Sequence, residues 1–100
     1  MIRGTTPTIK FTTSIETALL NTAYITFSQN GKVVFEKTLS ECTLETKAIT
    51  LKLTQEETLK LQSGISKVEI QIRAKTADGT VMATDIFKVP VDKILKEGII

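Results

Sequence analysis

Four apolar side chains, Val68, Ile70, Ile72 and Ala74, alternate without a break with Glu69, Gln71, Arg73 and Lys75. A period of two cannot sit on one face of a helix, where neighbours stand three or four residues apart. On a strand it turns one row toward a core and the other toward water. The run therefore predicts a long strand in an antiparallel sheet that is covered on one face. Shorter rows repeat the pattern: Ile9 and Phe11; Ala23, Ile25 and Phe27; Ile49, Leu51 and Leu53. Composition agrees, since 17 Thr, 12 Ile, 6 Val, 4 Phe and 1 Tyr place much of the chain among residues that fit a pleated surface.

The turns order these rows. Asn30-Gly31 separates the row ending at Phe27 from a second run containing Val33 and Phe35, and both residues tolerate the positive φ of a type I′ hairpin turn. Ala77-Asp78-Gly79-Thr80 predicts another tight turn after the long strand. In the returning run, Val81 and Ala83 share a parity with Phe87, Val89 and Val91, but so does Asp85. A buried carboxylate needs a partner, so a bulge near Thr84-Asp85 is expected to turn it outward. Pro90 lacks a ladder donor and places the end of that run at a sheet edge. Between Thr13 and Asn21 a single helical turn is expected, beginning at Ile15 with Ser14 as its cap and Leu19 or Leu20 as its anchor. Ser40 to Lys47 reads as a polar loop crossing between sheets, held inward by Cys42 and Leu44. Thr54-Gln55-Glu56-Glu57 has capping-box spacing. It predicts a helix of about two turns, anchored by Leu59 and Leu61 and stopped at Gly64.

These elements define one all-β domain over residues 1–100, with a polar arm at 1–7 and a C-terminal tail at 92–100. The expected architecture is an immunoglobulin-like two-sheet β-sandwich with a short helix before the penultimate strand. The Cys-Trp-Cys core signature of antibody domains is absent.

No catalytic, metal or cofactor-binding constellation is visible. There is no histidine, which removes the usual general base and the commonest metal ligand and excludes hydrolytic triads built on it. Cys42 is best read as a small buried hydrophobe, and Glu56-Glu57 as first-turn carboxylates favoured by the helix dipole. Arg73 and Lys75 read as a solvated strand face. The formal charge is +2 and the lysines are dispersed, so no nucleic-acid footprint is indicated. No window approaches a membrane span, and no apolar run of signal-peptide length follows Met1, so a reducing cytoplasm is the expected site of synthesis. Ile94, Leu95, Ile99 and Ile100 are apolar and lie beyond the expected end of the sandwich. They either fold back over an open end of the core or form an interface with a neighbouring subunit, and the local pattern does not choose.

The hairpin TAYITFSQNGKVVFEKTL, the segment LTQEETLKL, the strand pair KVEIQIRAKTADGTVMATDIFKVPV and the ending KILKEGII resemble small proteins encoded among the tail genes of phages and prophages of Gram-positive bacteria. The order of parts is similar to the N-terminal sandwich domain of baseplate upper proteins. Proteins of that type are longer and carry receptor-side regions without counterpart in these 100 residues. The resemblance implies a non-enzymatic virion structural or assembly module. Its implied partners are other phage tail or baseplate proteins and further copies of itself, not nucleic acid or membrane. The implied location is the bacterial cytoplasm during assembly and then the virion. The alternative is a free-standing ligand- or carbohydrate-binding β-sandwich, for which a chain with no Trp and one Tyr is poorly equipped.

Overall fold

The structure, a computed structural model, describes residues 1–64 and 66–100. Its strands are β1 (Thr8–Thr12), β2 (Leu20–Gln29), β3 (Lys32–Thr38), β4 (Thr43–Glu45), β5 (Ala48–Lys52), β6 (Val68–Thr76), β7 (Val81–Ala83) and β8 (Phe87–Val89), with one helix, α1 (Gln55–Leu59), before β6. One antiparallel sheet has the order β1-β5-β4 and the other β3-β2-β6, with β7 and β8 both on the free side of β6. The immunoglobulin sandwich sets strands B, E and D against C′, C, F and G. The strand order here matches those two groups, with β1 in the place of B and α1 between E and F.

The predicted apolar rows meet between the sheets. Ala23, Ile25 and Phe27 of β2, Ile49 and Leu51 of β5, and Val68, Ile70, Ile72 and Ala74 of β6 are all buried, together with Phe11 and Leu53. Opposite Phe27 on β3, Phe35 stacks at a ring separation of 4.4 Å. Removing one such large side chain from water is worth about 1.5–3 kcal/mol, so these rows supply most of the drive to fold.

The turn between β2 and β3 is as the sequence implies, since Asn30 (φ 52°) and Gly31 (φ 74°) are both left-handed. A Cβ on Gly31 would meet no atom within 4 Å, which leaves the backbone cost alone to act. Gly31→Val should therefore lose about 1–2 kcal/mol. An unchanged melting temperature would show that the connection is not a primed two-residue turn.

Four local expectations are corrected. Ser40 to Lys47 does cross between the sheets, but it is not all loop: a 3₁₀ turn at Leu39–Glu41 leads from β3 into β4, which forms a hairpin with β5 in the other sheet. Leu44 lies opposite the buried Ile49, but β4 is an edge strand and leaves Leu44 exposed. Helix α1 ends at Leu59, well before Gly64, because Thr58 and Leu61 are both fully buried and the chain must turn in to reach both sites. The turn after β1 begins at Thr17 instead of Ile15. Thr17 anchors it by donating its hydroxyl to Glu45 O at 2.6 Å, and Leu20, not Leu19, packs on the core.

In the returning run the bulge is where the misplaced Asp85 required it, but the row before it has the opposite parity. Ala74 pairs with Met82 while Ile70 pairs with Phe87, so the returning chain carries one extra residue between these pairs. Met82 therefore faces the core, and Val81 and Ala83 face away. Thr84 makes the shift workable. Its amide donates to Ile72 O at 2.9 Å, and its hydroxyl accepts from Ile72 N at 3.1 Å in place of a strand carbonyl. Asp85 and Ile86 are left exposed.

Candidate functional site

The surface with most capacity to act lies where the two sheets part. β1 is hydrogen-bonded on one side, to β5, and β7 and β8 are each bonded on one side, to β6. Among the described residues no strand pairs with their outer edges. In a complete immunoglobulin sandwich a first strand lies beside B. Here residues 1–7 instead form a parallel bridge, Ile2 to Asp92, at the end of β8.

Between these open edges runs a groove of about 370 Å³. Ile49, Ile72 and Ala74 line its inner wall, Thr12 to Ile15 one lip, and Met82, Ala83 and Phe87 the other. Phe11 and Phe87 approach across it at 5.9 Å between ring centres, tilted by 44°. The Thr13–Ile15 lip is held by Thr13 N donating to Lys47 O at 2.9 Å and Thr13 Oγ1 to Ile15 O at 2.6 Å. Beside the groove Val81, Ile86 and Phe87 are exposed. Apolar side chains clustered along an open edge are the usual mark of a protein contact.

The tail forms a second apolar surface. Of the four residues singled out there, Ile94 turns inward, its Cδ1 standing 2.8 Å from where a Cβ on Gly4 would lie. Leu95 is 96% exposed, Ile100 90% and Ile99 55%. Polar groups hold them in place. The Gln55 side chain accepts from Ile100 N at 2.9 Å and donates to Ile100 O at 3.1 Å. Arg3 pairs with Glu97 at 2.7 Å while donating to Leu59 O and Leu61 O. Helix α1 has no basic residue in its last turn, so a guanidinium from the far end of the chain satisfies carbonyls that would otherwise lack partners. Sequence reasoning placed Arg3 in a featureless arm. Its partners lie more than 50 residues away, so nothing local to the arm signals the contact.

A third cluster joins β3 to α1. Lys37 lies opposite the buried Ile25 and places its Nζ 2.5 Å from Glu57 Oε2 and 2.9 Å from Glu41 Oε2. The other oxygen of Glu57 accepts from Thr54 N at 2.9 Å, which closes the capping box. Burial works against the Lys37 cation, but its hydrogen bonds to Glu57 and Glu41 prevail and raise its pKa. Burial likewise works against the Glu57 carboxylate, and the bonds from Lys37 and the Thr54 amide prevail and lower it. The Thr38 amide, followed by Lys37, holds Glu41 low. Period-two counting from Phe35 already assigns Lys37 to the inward row, so this residue was within reach of the sequence.

The remaining candidates sit as local structure. Cys42 is half-buried, with its sulfur 3.4 Å from Thr38 O, and burial together with Glu41 pushes its thiol up. Asp78 accepts from the Thr76 hydroxyl and from Thr80 N within its turn. Arg73 and Lys75 are exposed. Among the described residues no three His, Cys, Asp or Glu side chains converge as a metal site, and no helix is long and apolar enough to cross a membrane. Comparison with family models, with curated proteins and with solved structures finds no match to this chain.

Proposed function

We propose that this chain is a non-enzymatic structural or assembly module of a phage or prophage tail or baseplate, working through protein–protein contacts. The supporting observation is an apolar groove flanked by two unpaired strand edges, on a domain that also exposes an apolar tail. Extended segments add to such edges through main-chain hydrogen bonds, with side-chain pockets supplying selectivity. The phage assignment rests on the resemblance of the hairpin, the capped helix and the ending KILKEGII. On this reading the protein meets its partners in the bacterial cytoplasm during assembly and passes into the virion with them.

A free-standing ligand- or carbohydrate-binding module is the second reading. It is favoured by the groove volume, which lies within the range of small-molecule sites. Against it, the lining offers threonine and serine hydroxyls but no convergent set of charged or amide side chains.

Deletion of the gene from an inducible prophage tests the first reading. Tails should be absent or aberrant, and peptides of the chain should be found by mass spectrometry in tails or assembly intermediates at a fixed ratio to other tail proteins. Normal, infectious particles with no trace of the chain at any stage would overturn it.

A further inference from the structure

We propose that copies of this chain associate head to tail, with segment 95–100 of one copy lying in the groove between β1 and β7 of the next. The proposal rests on the protein-contact reading above and names the partner as a second copy.

The two surfaces lie toward opposite ends of the sandwich. Thr8 pairs with Lys52 at one end of β1, and there the chain enters α1, whose Gln55 clasps Ile100. Thr12 pairs with Ala48 at the other end, where the groove opens. Each copy therefore keeps its tail away from its own groove while presenting both halves of a contact.

Shape and chemistry fit. Segment 95–100 is bent at Leu95, Lys96 and Gly98 and held by Gln55 and Arg3. Entry into the groove therefore requires it to release those contacts and extend, when it spans about 20 Å at roughly 3.3 Å per residue, close to the length of the free edge of β1. Leu95, Ile99 and Ile100 are exposed apolar side chains without a cover, and the groove wall is apolar. The outer edge of β1 has main-chain donors and acceptors free for a ladder. The charges are opposite in sign: Glu16 and Asp85 adjoin the lining residues Ile15 and Thr84, while Lys93 precedes the tail segment and Lys96 lies within it. Among the described residues none of these four charges forms an ion pair. Different patches meet in this contact, so it is heterologous and propagates into a ring or a filament according to the rotation between copies.

The test uses analytical ultracentrifugation of the full chain over a wide concentration range. The wild type should show concentration-dependent oligomers that weaken as salt rises. Leu95→Asp spoils the tail, and Ser14→Lys blocks a groove lip with a long cation. Each should lower the association constant about tenfold or more, the equivalent of one lost buried leucine. Both sites are exposed, so circular dichroism should report an intact fold, and Ile100→Asp serves as a second tail variant. The decisive sample is an equimolar mixture of Leu95→Asp and Ser14→Lys. The first keeps a working groove and the second a working tail, so they should form a one-to-one dimer that grows no further. A mixture that remains monomeric, or oligomers indifferent to both substitutions, overturns the head-to-tail contact. A wild type monomeric at every concentration overturns it too, and leaves the protein-contact reading standing with a different partner, which gene deletion tests separately.

Discussion

Ile70→Asp is expected to abolish the fold at 25 °C. Ile70 is 1% exposed, lies between Phe27 of β2 and Phe87 of β8, and sits in the middle of the longest buried row. Among the described residues the buried cation is Lys37, which is already paired with Glu57 and Glu41, so the carboxylate must either stay charged without a partner or take up a proton and remain a polar group among hydrocarbon. Either route costs several kcal/mol, and the lost isoleucine contacts add to it, against a total stability of about 5–15 kcal/mol for a domain of ordinary stability. Thermal melts followed by circular dichroism should show no cooperative transition. Gln71→Asp, one residue along, is the control. Gln71 is half-buried and donates its amide to Thr84 O at 2.9 Å, so that variant loses one hydrogen bond, about 1 kcal/mol. Its melting temperature should fall by about 4–8 °C. The reverse order of severity would mean that the inward face of β6 has been wrongly assigned.

The same strand shows why part of the fold was legible. Each inward residue of β6 is followed by a polar one, and Asn30-Gly31 and Thr54 to Glu57 carry signals complete within four residues. Local rules suffice where a local group decides the conformation. They fail where the deciding partner is remote. The parity of β7 depends on Thr84 taking the place of a strand carbonyl against Ile72, and a run read by itself does not reveal which residue the bulge absorbs. Helix α1 stops where Thr58 can donate to Thr5 O, 53 residues away, and no composition rule at Gly64 carries that information.

The candidate site divides in the same way. That the tail is apolar was readable from Ile94, Leu95, Ile99 and Ile100, but not that Ile94 turns inward while the other three stay exposed. The groove was not, because it is made by what does not pair: the arm at 1–7 joins Asp92 and leaves the edge of β1 open. Alternation assigns residues to strands and faces, while an open edge is a property of the whole sandwich.

Replacing Lys37 by methionine is the second large expected loss, about 2–3 kcal/mol at neutral pH. Methionine keeps most of the apolar stem but leaves the Glu57 carboxylate, largely enclosed, without its cation. Breaking one side of a well-buried pair costs about 3–5 kcal/mol, and the partly exposed Glu41 places this case below that range. The dependence on pH follows from the two shifts. Glu57 is held below the ordinary carboxylate value in the fold, so its contribution is present above the unfolded value near 4.3 and is lost as pH falls through the folded one. Lys37 is held above its ordinary value, so its contribution is full below about 10.4 and is lost as pH rises through the folded one. The difference in unfolding free energy between wild type and Lys37→Met should therefore be flat from about pH 5 to 10 and shrink on either side. Within the variant, Glu57 keeps the Thr54 amide but meets the full cost of burial, so mild acid should favour it relative to the wild type. Adding Glu57→Gln removes the stranded charge and keeps an oxygen for Thr54 N, so the double variant should be more stable than Lys37→Met alone. If denaturant titrations find a difference that does not vary with pH, or a double variant weaker than the single one, then Lys37 holds β3 to α1 by packing its stem and not by its charge.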